Sequence, residues 1–158
     1  MTFAQTLAAT IRIGTHAAGV AGFVASAIVV AIIADDFMET KLSFVLAVSA
    51  MVAATATMAL FWRWLTPTPT GFSYWRAGLA GALSAISSSM LMWLPTIAFT
   101  FQPVVGMLAE KSEMHLLLPG ILYLSVMTIV FSGWVTVPAA IVAACLVTLW
   151  ARRRMETP

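Results

Sequence analysis

The chain has 158 residues, of which 61% are hydrophobic and only 9% are charged. A soluble domain carries about 25% charged residues, so this composition excludes an ordinary water-soluble protein and indicates an integral membrane protein. The formal net charge of +2 is too small to predict a nucleic-acid partner. The single cysteine, Cys145, excludes an internal disulfide and a cysteine metal cluster.

Charged residues divide the chain into four uncharged stretches, and the first two have the length of a membrane span. Residues 13–34 and 42–62 number 22 and 21, close to the ~20 that a helix needs to cross the hydrocarbon core. We predict helices at about 13–34 and 42–64, joined by an outer loop at 35–41. A cleaved signal peptide is the alternative for the first span, but its apolar run continues to Ala34, past the small-residue box at 25–27.

The third uncharged stretch, residues 77–109, is interrupted by Pro95 and Pro103. This pattern predicts a helix at about 77–97, followed by an outer loop at 98–118. The segment before it, 65–76, contains alternating Thr and Pro, which disfavours helix and predicts a short, stiff cytoplasmic loop.

The fourth uncharged stretch, residues 116–151, is 36 residues long and allows either one long helix or two short ones. The candidate turn between two helices is "SGWVTVP", residues 132–138. A turn inside lipid would leave backbone polar groups unpaired, which favours a single helix at about 119–150. Gly133 and Pro138 would allow a kink in that helix.

These spans predict an all-α integral membrane protein: one membrane domain, 1–158, folded as a four-transmembrane-helix bundle with both termini cytoplasmic. The side holding the termini sums to +5 and the opposite side to −3, and basic residues accumulate on the cytoplasmic side. The compact loops and alanine-rich spans indicate a bacterial inner membrane. Four tryptophans beside the arginines predict an aromatic belt at the cytoplasmic interface: Trp62, Trp64, Trp75 and Trp150.

Small residues recur at a spacing of four on the first and third spans. Such faces let helices approach closely where lipid supplies no hydrophobic force between them. They would pack either within the bundle or against a second copy or other membrane subunits. The predicted helix-packing residues are Gly14, Ala18, Gly22, Ser26, Ala77, Gly81 and Ala85.

The fourth helix carries a stripe of hydroxyl side chains at spacings of three and four: Ser125, Thr128, Ser132 and Thr136. One interpretation is a polar pathway through the membrane. The alternative is that each hydroxyl bonds a carbonyl of the preceding turn.

The two outer loops gather carboxylates and a histidine, which together suit a divalent cation, while methionines close by in sequence suit copper(I). The candidate metal ligands are Asp35, Asp36, Glu39, Glu110, Glu113 and His115. The alternative interpretation is that an acidic outer loop simply follows from the charge asymmetry of the chain.

No Asp, Glu, Lys or Arg lies within the predicted spans, which argues against a proton-coupled pump, and no catalytic sequence motif occurs. We therefore predict a non-enzymatic polytopic membrane protein without a cofactor. It would act in the lipid bilayer as a subunit of a membrane complex, or as a homo-oligomeric small transporter or channel. The alternative function is an outward-facing metal-binding or membrane-enzyme site built from the two acidic outer loops.

Overall fold

A computed structural model of the protein describes residues 3–34, 40–68, 71–100 and 117–156. Within these residues the elements, in chain order, are α1 (Phe3–Ala34), α2 (Thr40–Leu65), β1 (Pro67–Thr68), β2 (Gly71–Phe72), α3 (Tyr74–Leu91), α4 (Trp93–Thr100) and α5 (Leu117–Glu156). The predicted all-α class is confirmed.

Four segments of this structure are long and apolar enough to cross a membrane: Ala4–Ala31, Phe44–Leu65, Tyr74–Ile97 and Leu118–Glu156. A helix satisfies its own backbone hydrogen bonds, which is the requirement for a segment that has no water to bond. The protein is therefore a multi-pass membrane protein, as the composition predicts.

The helices form a four-cornered bundle in which α1 and α3 each pack against α2 and α5. Neighbouring helices are antiparallel. On α3 and α5, for example, Ser89 contacts Ser125, whereas Tyr74, earlier on α3, contacts Arg152, later on α5. The start of α1, the end of α2, the start of α3 and the end of α5 therefore share one end of the bundle. We call it the arginine end, because all six arginines belong to these segments, and the other the distal end.

The helix bounds differ most from prediction at the start of α1, within the third helix and at the end of α5, which continues to Glu156 rather than about residue 150. α1 begins at Phe3 rather than near residue 13, because its first three turns continue the helix and pack Leu7 and Ile11 against the core. The predicted third helix ends at Leu91, and α4 resumes after a turn at Met92. Pro95 explains this break, since it has no N–H to donate to Leu91 but is tolerated in the first turn of a new helix.

The predicted single long fourth helix is confirmed. α5 runs for 40 residues from Leu117 to Glu156 and passes through Pro138. Residues 132–138 are helical rather than a turn, so the described segment 117–156 forms one helix and not two.

The segment predicted as a plain stiff loop contains a small antiparallel hairpin. Pro67 pairs with Phe72 and Thr68 with Gly71, and the Thr68 hydroxyl donates to the Gly71 carbonyl at 3.0 Å. Gly71 adopts φ +137°, a conformation that favours glycine. The hairpin places Phe72 against the core.

The core at the arginine end is built around Trp62, which is 0% exposed. Its ring stacks on Phe72 with 5.6 Å between centroids, and its Nε1–H donates to the Thr148 hydroxyl at 3.0 Å. Gly14 lies directly against the same ring, so that a Cβ there would overlap it. The prediction that Trp62 belongs to an interfacial aromatic belt is therefore wrong.

The small-residue faces pack against neighbouring helices of the same chain. A Cβ on Gly22 would lie 2.7 Å from the Ala54 carbonyl of α2, and one on Gly81 would lie 2.6 Å from the Ala140 carbonyl of α5. Ala18 and Ala77 are fully buried, and Ala85 packs against the core. These contacts occupy the faces within one chain.

Candidate functional site

A cavity of about 540 Å³ lies between the helices in the distal half of the bundle. All four long helices contribute to its wall, and Trp93 of α4 completes it. Its lining extends from Val30 near the end of α1 to Ala140 in the middle of α5. The cavity therefore lies within the membrane-spanning part of one chain rather than on an outer loop.

The cavity exists because small residues face one another where the helices converge. More than half of its lining is Gly, Ala or Ser. On α2, for example, Ala47, Ala50 and Ala54 recur at spacings of three and four and present one wall. Side chains of this size cannot fill the centre of a four-helix bundle, so they leave a space between close-packed backbones.

Hydroxyl groups supply the polar part of the wall. The Ser88 hydroxyl donates to the Ala85 carbonyl at 3.1 Å, and those of Thr128 and Ser132 donate to carbonyls four residues back at 2.8 Å. These bonds satisfy the hydroxyl protons and leave lone pairs on the oxygens. The wall consequently offers hydrogen-bond acceptors to a guest molecule.

Larger side chains close the rest of the wall. Trp93 donates its Nε1–H to the Thr128 hydroxyl at 3.1 Å, which holds the indole between α4 and α5. Met92, Met127 and Phe131 add apolar and polarisable surface. No charged side chain from the described part of the chain lines the cavity.

Two buried contacts between helices border the site. The hydroxyls of Thr57 on α2 and Ser84 on α3 lie 2.9 Å apart. Ser125 on α5 donates to its own helix at Ile121 and approaches the Ser89 carbonyl of α3 at 3.5 Å. These contacts link α3 to both of its neighbours and so position the cavity wall.

The four residues of the predicted polar pathway do not share one environment. Thr128, Ser132 and Thr136 line the cavity, whereas Ser125 is buried against α3 and 2% exposed. Ser125, Thr128 and Ser132 each bond the carbonyl four residues earlier. A transport role for this stripe stays a prediction.

The predicted metal ligands Asp35, Asp36, Glu39, Glu110, Glu113 and His115 lie outside the described residues. The hypothesis of a metal-binding or enzymatic site on the outer loops is therefore still a prediction from sequence.

Sequence reasoning identified the α5 hydroxyls but missed the contribution of the other helices. Gly22 and Ser26 were assigned to helix packing, yet they also line the cavity, as does Ala85. The small residues gave little signal by themselves, because Gly, Ala and Ser occur in both halves of the spans. Which of them line a cavity depends on the neighbours of each helix.

Comparison with known proteins yields no match: no family model, no curated protein and no solved structure is similar to this chain. The proposed function therefore rests on the geometry of the cavity.

Proposed function

We propose that the protein is a non-enzymatic membrane transporter that binds a small, uncharged solute in the distal cavity. The observation that carries this proposal is the cavity itself, which is half open and is lined by all four spans of one chain. Its volume of about 540 Å³ falls in the range of ~300–1,000 Å³ typical of small-molecule sites.

The chemistry of the wall defines the class of solute. A charged guest would lose its hydration without gaining a counter-charge, which is costly at membrane depth. An apolar guest with one or two O–H or N–H groups fits better. Its body would contact Met92, Trp93 and Phe131, and its donor would reach the oxygen of Ser88 or Ser132. Alcohols, phenols and neutral amides have this character.

The shape of the bundle favours a carrier over an open pore. On the arginine side, the cavity ends where Met58 lines its wall, and the buried core around Trp62 and Thr148 follows. A solute in the cavity would have to displace this core to pass further. Closure of the site on the arginine side matches a carrier in one of its alternating states.

The membrane orientation belongs to the same proposal. Arginines on four segments support a cytoplasmic location of the arginine end, since basic residues tend to stay on that side. The cavity would then lie toward the outer leaflet of a bacterial inner membrane. All of its described lining residues belong to one chain, and we propose that this chain binds the solute without a residue from a second copy or another subunit.

Photolabelling tests the proposal directly. The purified protein in lipid nanodiscs would be irradiated with an eight-carbon alcohol that carries a diazirine, and adducts mapped by mass spectrometry. We expect adducts on cavity residues that are not exposed on the outer surface, such as Ser88, Met92 and Trp93.

The matched variants are Ala50→Leu and Ala56→Leu, both on α2. Ala50 lines the cavity, whereas Ala56 is exposed on the outer surface of the helix. Ala50→Leu should abolish the cavity adducts and Ala56→Leu should retain them. Unchanged labelling of Ala50→Leu, with its folding verified by thermal unfolding, would overturn the proposal.

A further inference from the structure

The arginine end carries a second feature that solute binding does not explain. α5 finishes with three consecutive exposed arginines, Arg152, Arg153 and Arg154. Exposed aromatic side chains belong to the same end of the bundle: Trp75 is 82% exposed, and Tyr74 and Trp150 are 40% and 37% exposed. Rings of this kind concentrate at the level of lipid headgroups.

Two of these arginines lie over aromatic rings in cation–π contacts. The guanidinium carbon of Arg152 lies 4.9 Å from the centroid of the Tyr74 ring, across the α3–α5 contact. That of Arg154 lies 5.1 Å from the ring of Trp150, one turn earlier on the same helix. A cation–π contact restrains a flexible side chain, and the planar guanidinium carries several N–H donors that can bind phosphate oxygens.

Not all arginines of this end are held in this way. Arg12 on α1 and Arg63 on α2 are also exposed, but within the described residues neither has a ring contact or an ion pair. The bundle thus contains restrained and unrestrained arginines at the same membrane level, and this difference permits a controlled comparison.

We infer that Arg152 with Tyr74, and Arg154 with Trp150, are binding sites for the phosphate groups of anionic phospholipids. A guanidinium edge matches two phosphate oxygens at once, and a restrained one loses less entropy on binding. The exposed rings belong in the interfacial layer of the bilayer, where lipid phosphates are already concentrated. This surface therefore favours a lipid over a soluble polyanion.

This inference is independent of the proposed solute site. Native mass spectrometry of the full chain tests it, with phosphatidylglycerol and phosphatidylcholine supplied at equal concentration in mild detergent. We expect the protein to retain phosphatidylglycerol preferentially.

Two double variants remove the same charge from different arginines. Arg152→Gln with Arg154→Gln should abolish most of the preference, whereas Arg12→Gln with Arg63→Gln should preserve it. Arg152→Lys with Arg154→Lys keeps the charge but removes the planar fork, and should retain less phosphatidylglycerol than the unmodified chain.

Three outcomes would overturn the inference. The first is an equal loss for both glutamine pairs, which would show a diffuse charge effect. The second is no preference for the anionic lipid in the unmodified protein. The third is displacement of phosphatidylglycerol by a short RNA at equal concentration, which would assign the surface to a different partner. All substituted residues are exposed, and thermal unfolding would verify that each variant is folded.

Discussion

The two halves of this bundle are built from the same small-residue helix faces, yet one half is filled and the other is hollow. At the arginine end, Gly14 provides the space that the ring of Trp62 occupies, and Phe72 and Thr148 close around that ring. In the distal half, Ala50, Ser88 and Ser132 line a similar space, which is left as a cavity of about 540 Å³. Small residues set how closely helices approach, and the placement of a few large ones decides whether the centre is packed.

The largest expected effect is on the filled half. Trp62→Ala would remove a fully buried ring and leave Thr148 without its donor, so the free energy of unfolding should fall by about 3–5 kcal/mol. SDS-induced unfolding of the protein in bicelles would measure it.

Trp93→Ala is the matched substitution in the hollow half. Trp93 is half-buried on the cavity wall and donates a hydrogen bond to Thr128. Because its replacement removes fewer contacts, the free energy of unfolding should fall by only about 1 kcal/mol. Equal decreases in the free energy of unfolding for Trp62→Ala and Trp93→Ala would contradict the difference in packing between the two halves.

A smaller effect is expected where backbones touch on α3. A methyl group at Gly81 would lie 2.6 Å from the Ala140 carbonyl and must push α3 away from α5. Gly81→Ala should therefore destabilise the bundle by about 2 kcal/mol.

Gly78→Ala provides the control for this substitution on the same helix. There the added methyl meets only the side chain of Ile141, at 3.9 Å, so stability measured in the same unfolding assay should hardly change. A tolerated Gly81→Ala would mean that the α3–α5 contact is looser than described.

The smallest expected effect concerns the hydroxyl pair that links α2 to α3. Thr57→Val removes a 2.9 Å contact with Ser84, and such bonds between membrane helices contribute about 0.6 kcal/mol. A double-mutant cycle with Ser84→Ala would isolate this coupling energy.

Thr15→Val is the control for Thr57→Val, because the Thr15 hydroxyl donates to the Ile11 carbonyl of its own helix. Thr15→Val should leave the free energy of unfolding almost unchanged. If Thr57 and Ser84 showed no coupling, the pair would have no role in holding the cavity wall.

Sequence reasoning predicted the spans well because charge-free length is a local property. The continuity of α5 also followed from a local argument, since an uncharged turn at residues 132–138 would leave its backbone unpaired in lipid. The break at Met92 was less visible, because Pro95 is compatible both with a helix start and with a kink.

The environment of individual side chains could not be predicted in the same way. Trp62 is followed by Arg63 and resembles an interfacial residue in sequence, but it is buried because Gly14 and Phe72 lie opposite. Ser125 and Thr128 belong to one hydroxyl stripe but differ in their neighbours. Both outcomes depend on which helices are adjacent, which no single span encodes.

The most direct test of the central claim compares thiol reactivity in the two halves. In a Cys145→Ala background, Ser132→Cys would place a thiol on the cavity wall and Thr148→Cys would place one in the fully buried core. N-ethylmaleimide, which is small and uncharged, should modify the folded Ser132→Cys variant much faster than Thr148→Cys, with equal rates after denaturation. Equal rates in the folded protein would contradict the account of one hollow and one filled half.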